Sequence, residues 1–500
     1  MNRQPRSRLA ALQLVVVAPA LLAGMLLTDA ASPARAAAAD PGILARAHRK
    51  PAPSKEIYGY LPYWQLGTAT ARRLDYRHLS TIAFFAVPIG PSGALDRRSP
   101  GYHAYVSGAA RAVTNAAHAH GVRVVPTFQV FRVATLRRLL GSTIAQRRFI
   151  HEALDLMARR RADGANLDVE PIPTSLASQY ATFVGRFSRA MHRRFTGSQL
   201  AVATPAIVSD RVLRGLEPVV DRMFVMTYDY HASFSTRPGP VAPLVSGPHN
   251  VAKSIRNYLR LVPARKLIVG IPRYGYSWPV RNVGGTWRVR PDPRRWGGVR
   301  AVQYASARNW LAEHPTVRVH NDADAGAWFR YVNRSEGTVR EVHFESALST
   351  GRKLNFAIVQ GLAGVGIWAL RNDAGTPDMA HAIDRTLVRP LRRMTAYADV
   401  RAVRVVRGRV RIDAIAAVRD RGTRAERGWL RWGVFDGSGR TVRAGRTIVA
   451  LYPGSRWRRT LAIAVGSPLG LRPGTYRFAV RFTAGSSLLA ADEDGFRQPF

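Results

Sequence analysis

The run Asp163-Gly164-Ala165-Asn166-Leu167-Asp168-Val169-Glu170 places three polar side chains where a strand would bury them. With a period of two, Ala165, Leu167 and Val169 fall on one face and Asn166, Asp168 and Glu170 on the other. A strand covered on both sides is ordinarily apolar throughout, because an unpaired buried carboxylate is costly or shifts its pKa. Carboxylates lined up on one interior face therefore imply pairing with basic neighbours, or chemistry. The chemistry is proton transfer: a carboxyl whose pKa is raised by a second carboxylate and by partial burial can donate a proton near neutral pH. Two inward carboxylates separated by one residue stand about 7 Å apart along the backbone, a gap that side-chain rotation closes. Pro171 and Pro173 cannot continue a central strand, so Glu170 sits at its C-terminal end.

The flanking chain supplies the elements that would position this strand. Apolar runs at 57–61, 81–87, 122–128, 200–204, 223–228, 267–271 and 364–368 read as strands, with 163–170 fourth in the series. Helical segments are expected at 102–120, 144–161, 175–194, 251–262 and 348–359. Eight strands, most of them separated by helices, predict an α/β fold, a (β/α)8 TIM barrel over 55–390. A doubly wound open sheet is the competing topology, without a Gly-rich phosphate turn to support it. A small insertion is expected between strands 7 and 8, at about 279–345. Beyond 390 the pattern changes to short alternating strands with turns at Asp436-Gly437 and Pro473-Gly474, which predicts an accessory β-sandwich over 395–500. Trp429, Trp432, Tyr452 and Trp457 there read first as sheet and core packing and second as a sugar-stacking platform.

Arg3, Arg6 and Arg8 precede an apolar run and small residues up to Ala38, so 1–38 reads as a secretory signal peptide and 39–54 as a linker. An uncleaved anchor is the alternative. No later stretch is apolar enough to cross a bilayer, and the mature protein is expected to be exported, soluble and monomeric, extracellular or wall-associated. With no cysteine there is neither a disulfide framework nor a thiolate metal site. The 75 basic against 32 acidic residues give a formal charge of +43, and lysines stand only at positions 50, 55, 253, 266 and 353. The skew reads either as a coding bias towards arginine and alanine or as a functional feature; in both cases the field is real and should favour anionic cell-wall polymer in a salt-dependent way. There is no nucleic-acid motif, and thirteen histidines show no metal spacing. The run 321–326 reads as a turn, not a calcium loop, because the closing Glu is missing.

The stretch 163–170 resembles the signature of the family-18 glycoside hydrolases, the chitinases and related N-acetylglucosaminidases. Met226-Thr227-Tyr228-Asp229-Tyr230 resembles that family's sixth-strand motif, Gly364-Val365-Gly366-Ile367-Trp368 its eighth strand, and Tyr58-Gly59-Tyr60 its first. His343-Phe344-Glu345-Ser346-Ala347 is most similar to the branch of spore-cortex and peptidoglycan-directed glucosaminidases. The resemblance covers roughly 55–390. It implies Glu170 as proton donor and later base, Asp168 orienting the substrate's 2-acetamido group, and Tyr228 bonding the acetamido oxygen. Asn166, Asp163 and Asp229 would support the site, while Trp368, Met226, Tyr60, Gln129 and Tyr274 would contact a polysaccharide. The acetamido oxygen replaces an enzyme nucleophile, giving an oxazolinium intermediate. Asn166 stands where many chitinases carry an acid, and Pro171 is unusual for the family. The implied activity, without cofactor or metal, is retaining cleavage of β-1,4-linked N-acetylglucosamine in chitin or peptidoglycan. A lectin on the same barrel is the alternative; such lectins usually lose the proton donor, and Glu170 is present. A basic wall-bound scaffold acting through charge alone is the third reading.

Overall fold

A computed structural model describes residues 53–407, 409–466 and 474–497. The predicted signal peptide at 1–38 and nearly all of the predicted linker at 39–54 lie outside the described residues. From Glu56 onward the apolar runs form strands β1 (Glu56–Pro62), β2 (Thr81–Pro88), β3 (Arg123–Val130), β4 (Gly164–Val169), β5 (Gln199–Pro205), β6 (Arg222–Met226) and β7 (Leu267–Pro272). An excursion follows, β8 (Tyr274–Val283), β9 (Thr286–Val289), β10 (Arg300–Gln303), β11 (His320–Asp322), β12 (Gly326–Asn333) and β13 (Thr338–Phe344), before β14 (Gly364–Trp368) returns to the first sheet.

Strands β1 to β7 and β14 close into a parallel barrel, β14 lying between β7 and β1. Their alternation sorts two cores. Outward residues such as Ala165, Leu167 and Val169 join the large cluster under the surrounding helices. Inward residues Tyr58, Tyr60, Ala83, Phe85, Val125, Ala201, Phe224 and Ile268 fill the barrel axis. Gly366 makes that filling possible, since a Cβ there would sit 1.9 Å from the Phe224 ring.

The excursion packs as an antiparallel sheet in the order β10-β8-β13-β12-β11, with β9 beside β8. It begins at Tyr274, earlier than the expected 279, because Tyr274, Tyr276 and Trp278 alternate along a strand that pairs with β10 on one side and, from Gly275, with β13 on the other. The predicted helix at 102–120 is two helices, Pro100–Val106 and Gly108–Ala119. Ser107 between them is extended, and its hydroxyl accepts from the Ala110 N–H at 3.2 Å, a cap that restarts the helix. Asp322 accepts from the Asp324 and Ala325 N–H groups at 2.7 and 2.9 Å, the Asx geometry of a turn.

The C-terminal strands are β15 (Met394–Val406), β16 (Arg409–Asp420), β17 (Glu426–Phe435), β18 (Thr441–Leu451), β19 (Arg456–Gly466), β20 (Thr475–Ala484) and β21 (Ser487–Arg497). They form a three-stranded sheet, β15-β16-β19, and a four-stranded sheet, β18-β17-β20-β21. Ile412, Ala414 and Val418 of the first and Leu430, Phe478, Val480 and Phe482 of the second belong to one apolar cluster, with Trp432 and Trp457 packed against it. Asn355 of the barrel helix Ala347–Val359 accepts from the Ala425 N–H at 2.5 Å, and Arg352 of that helix lies over the Tyr452 ring at 4.1 Å.

Candidate active site

Four strand ends meet at the C-terminal mouth of the barrel, where side chains can leave the sheet without breaking its ladder. Glu170 follows β4, Tyr228 and Asp229 follow β6, Tyr274 opens the excursion after β7, and Trp368 ends β14. On β4 itself Asn166 stands in register with Thr127 and Asp168 with Gln129. Asn166 donates to Thr127 Oγ1 at 3.3 Å. Among the described residues, Asn166 Oδ1, Asp168 Oδ1, Gln129 Oε1 and the Tyr58 hydroxyl are buried with no protein partner, while the Tyr60 hydroxyl meets the Asn166 amide. Buried polar atoms are ordinarily satisfied, so four orphans on the inward barrel face mark a surface built to meet a polar ligand.

The carboxylates lack cations as well. Among the described residues, none of Asp168, Glu170 and Asp229 has a basic side chain within ion-pair distance, although arginine pairs with acids elsewhere over this surface. Burial first, then the Glu170 charge, pushes Asp168 well above the usual carboxylate range. Burial and then the Asp229 charge raise Glu170 to about 7. Asp229 rises to about 6 through burial, opposed by hydrogen bonds from the Tyr274 hydroxyl at 2.5 Å and the Tyr276 hydroxyl at 3.1 Å. Its φ of 60° is left-handed, a conformation Asp tolerates, and it aims the carboxylate at those two hydroxyls. Tyr228 faces all three acids; burial, then Glu170, Asp229 and Asp168, hold its hydroxyl protonated and able to donate.

The wall beside the acids is aromatic. Trp368 is half-buried, with Tyr60 and Phe85 edge-on to it at 5.3 and 4.7 Å between ring centres. Phe85 in turn meets Trp64 at 6.0 Å and Phe131 at 6.3 Å, both exposed. A half-open indole floor offers the C–H face of a sugar an apolar contact.

Most of the predicted residues converge here. Glu170, Asp168, Asn166, Tyr228, Asp229, Tyr274, Tyr60, Gln129 and Trp368 line the mouth or the axis below it, and Met226 packs on the axial cluster. Asp163 does not. It precedes β4 at the opposite end of the barrel, where its carboxylate accepts from the Val124 N–H at 2.7 Å and meets His118 Nε2 at 2.8 Å. The reason is register: the residue that enters a parallel strand faces the start of its neighbour. Glu345, from the stretch at 343–347, is buried under the insertion, paired with Lys353 at 2.8 Å and bonded by the Ser349 hydroxyl at 2.7 Å. Tyr276, Phe85, Trp64 and Phe131 were missed; for Tyr276 the signal was the alternation Tyr274, Tyr276, Trp278.

Residues 134–373 match the model of Glycosyl hydrolases family 18. The Bacillus subtilis (strain 168) protein YdhD, whose name describes a sporulation-specific glycosylase, is 29% identical over 356 residues, covering 67% of this chain and 79% of its own. The Ostrinia furnacalis Group II chitinase catalytic domain 2 superposes with a TM-score of 0.57 at 20% identity, over 66% of this chain and 96% of that one. The spore cortex-lytic enzyme SleL of Bacillus cereus does so with a TM-score of 0.52 at 19% identity, over 66% and 74%. At these identities the two structures speak to the fold.

Proposed function

The barrel is a family-18 glycosyl hydrolase domain, and from that premise we propose that the protein is a secreted, retaining glycosidase cleaving β-1,4-linked N-acetylglucosamine units by substrate-assisted catalysis. The observation that carries the reading is Glu170: a carboxyl at the barrel mouth, raised to about 7 by burial and the Asp229 charge. It stays protonated where the reaction needs an acid, and Asp168 and Tyr228 stand beside it.

In the first step the 2-acetamido oxygen attacks the anomeric carbon, the glycosidic C–O bond breaks, and Glu170 gives its proton to the departing oxygen. Asp168 accepts from the acetamido N–H, and the positive charge that develops on the oxazolinium ring favours its ionised form, which burial disfavours at rest; the Tyr228 hydroxyl donates to the acetamido oxygen; Trp368 carries the sugar's apolar face. In the second step Glu170, now anionic, takes a proton from water as the water oxygen bonds the anomeric carbon and the oxazolinium opens. Two inversions leave the configuration unchanged. These buried groups act on charge that exists only in the transition state and intermediate, where fixed groups stabilise most.

Residues 1–38 act as the export signal in this reading, the two C-terminal sheets face each other as a sandwich braced on the barrel, and the polymer is chitin or peptidoglycan. The test is digestion of N-acetylglucosamine oligomers and of purified peptidoglycan side by side, with anomer-resolved product analysis and a Glu170→Gln control. Cleavage with retention that the variant loses supports the reading. Undiminished cleavage by the variant overturns the mechanism, and binding without cleavage by the wild type turns the barrel into a lectin.

A further inference from the structure

The outer face of the four-stranded C-terminal sheet carries cations with no ion-pair partner among the described residues. Alternation along β17 sends Leu430 and Val434 into the apolar cluster and Trp429, Arg431 and Phe435 outward. The register sets Arg431 directly opposite Arg446 on β18 and directly opposite Arg481 on β20. Three exposed arginines thus form one row across three adjacent strands, spaced by the inter-strand distance of about 4.8 Å. Like charges directly opposite destabilise a sheet. Among the described residues no carboxylate lies within ion-pair distance of any of the three. Arg431 donates only to the Thr483 hydroxyl, at 2.7 Å, and Arg446 lies 4.7 Å over the Trp429 ring.

The neighbouring sheet shows the alternative. Arg404 on β15 and Arg411 on β16 are also directly opposite, but both donate to Asp413, which removes the repulsion. The row on β18, β17 and β20 has no such acid among the described residues. Its repulsion is relieved when an anion with closely spaced charges lies along it.

We propose that this face binds a linear polyol-phosphate polymer. A guanidinium fork takes a phosphate through two parallel hydrogen bonds, and a row at about 4.8 Å suits a chain with a charge on every short repeat better than a polysaccharide with widely spaced carboxylates. Single-stranded nucleic acid needs open aromatic faces for its bases. Here the two outward rings carry guanidinium groups, Arg446 over Trp429 and Arg477 over Phe435 at 5.5 Å. The inference rests on the C-terminal sheet alone and holds whatever the barrel hydrolyses.

The test uses the full chain and three probes: poly(glycerol phosphate), hyaluronate and oligo(dT). Poly(glycerol phosphate) should bind most tightly. The pair Arg431→Thr with Arg481→Thr should weaken it at least about tenfold and flatten the slope of log K against log salt by about 1.4, two phosphate contacts' worth. Removing the same charge from barrel helices, Arg193→Thr with Arg214→Thr, should change the Kd less than about twofold. Arg431→Glu places an acid between two arginines; it should abolish binding and raise the unfolding midpoint by about 2 °C. Equal losses in the two double variants, tighter binding of hyaluronate or oligo(dT), or a lowered midpoint for Arg431→Glu would overturn the proposal.

Discussion

Asp163 and Asp168 bracket the same short strand and live in opposite environments. Asp163, at the entry, is about one third exposed, holds the Val124 N–H and meets His118. Asp221 repeats the arrangement at the entry of β6, accepting from the Leu200 N–H at 2.7 Å with His192 at 3.2 Å. At the exit, Asp168 is buried, has an oxygen without a partner, and shares its surroundings with Glu170. One end of the barrel spends its acids on tying neighbouring strands and helices together. The other leaves them desolvated and close, a cost to folding that makes sense only where proton transfer and charge stabilisation repay it.

The largest effect should come from the exit end. Glu170→Gln is expected to lower kcat by about 10³-fold, the range general acid catalysis contributes, with KM and the circular dichroism spectrum little changed. A variant retaining more than a tenth of the rate would place the donor elsewhere. The same substitution should stabilise the protein at alkaline pH. Below about 4.5 the folded and unfolded chains both keep the Glu170 proton, so its contribution is fully present there. As pH rises towards 7 only the folded chain keeps it, and folding loses free energy until the folded pKa of about 7 is passed. Glutamine bears no charge, so Glu170→Gln should gain on the order of 3 kcal/mol over the wild type at pH 8 and nothing at pH 4, measured by urea unfolding. An equal gain at both pH values would mean packing, not charge.

At the entry end the signs reverse. Asp163→Ala strands the Val124 N–H and removes the His118 contact, and should cost about 1–3 kcal/mol of stability while leaving kcat of the folded enzyme unchanged. A fall in kcat larger than about threefold, with stability intact, would bring Asp163 back into the site and dissolve the contrast between the two ends.

How far the sequence disclosed this contrast depends on whether a role is local or set by partners distant in the chain. Period-two alternation was enough to separate Ala165, Leu167 and Val169 from Asn166 and Asp168, because both faces of β4 are buried against chemically different surroundings. The same period is present in Tyr274, Tyr276 and Trp278, but nothing local says that Tyr276 meets Asp229, a residue 47 positions away in the chain. The tie between Asp163 and His118 was invisible, since nothing local says which helix will pack beside a strand entry. Likewise Glu345 resembled part of a functional motif, yet its meaning lies in Lys353 and Ser349, on the next helix. Ser107, by contrast, is a local cap signal set within an alanine-rich run.

The finest test concerns how the exit end is tuned. The Tyr276 hydroxyl donates to Asp229 and so favours its anion; Tyr276→Phe removes that bond and lets Asp229 rise above its present value of about 6. Near pH 6.5 a smaller fraction of Asp229 is then charged. The Asp229 charge is what, after burial, raises Glu170, so Glu170 should titrate at lower pH in the variant. The basic limb of the kcat profile, where the donor loses its proton, should therefore move to lower pH by about 0.3 unit, with the rate at the optimum within about threefold of wild type. Tyr274→Phe, which removes the shorter of the two bonds, should move the limb further in the same direction. An unmoved limb in both variants, read from kcat between pH 5 and 9, would mean that Asp229 supports the sugar without setting the acidity of Glu170, and that burial alone separates the two ends of the barrel.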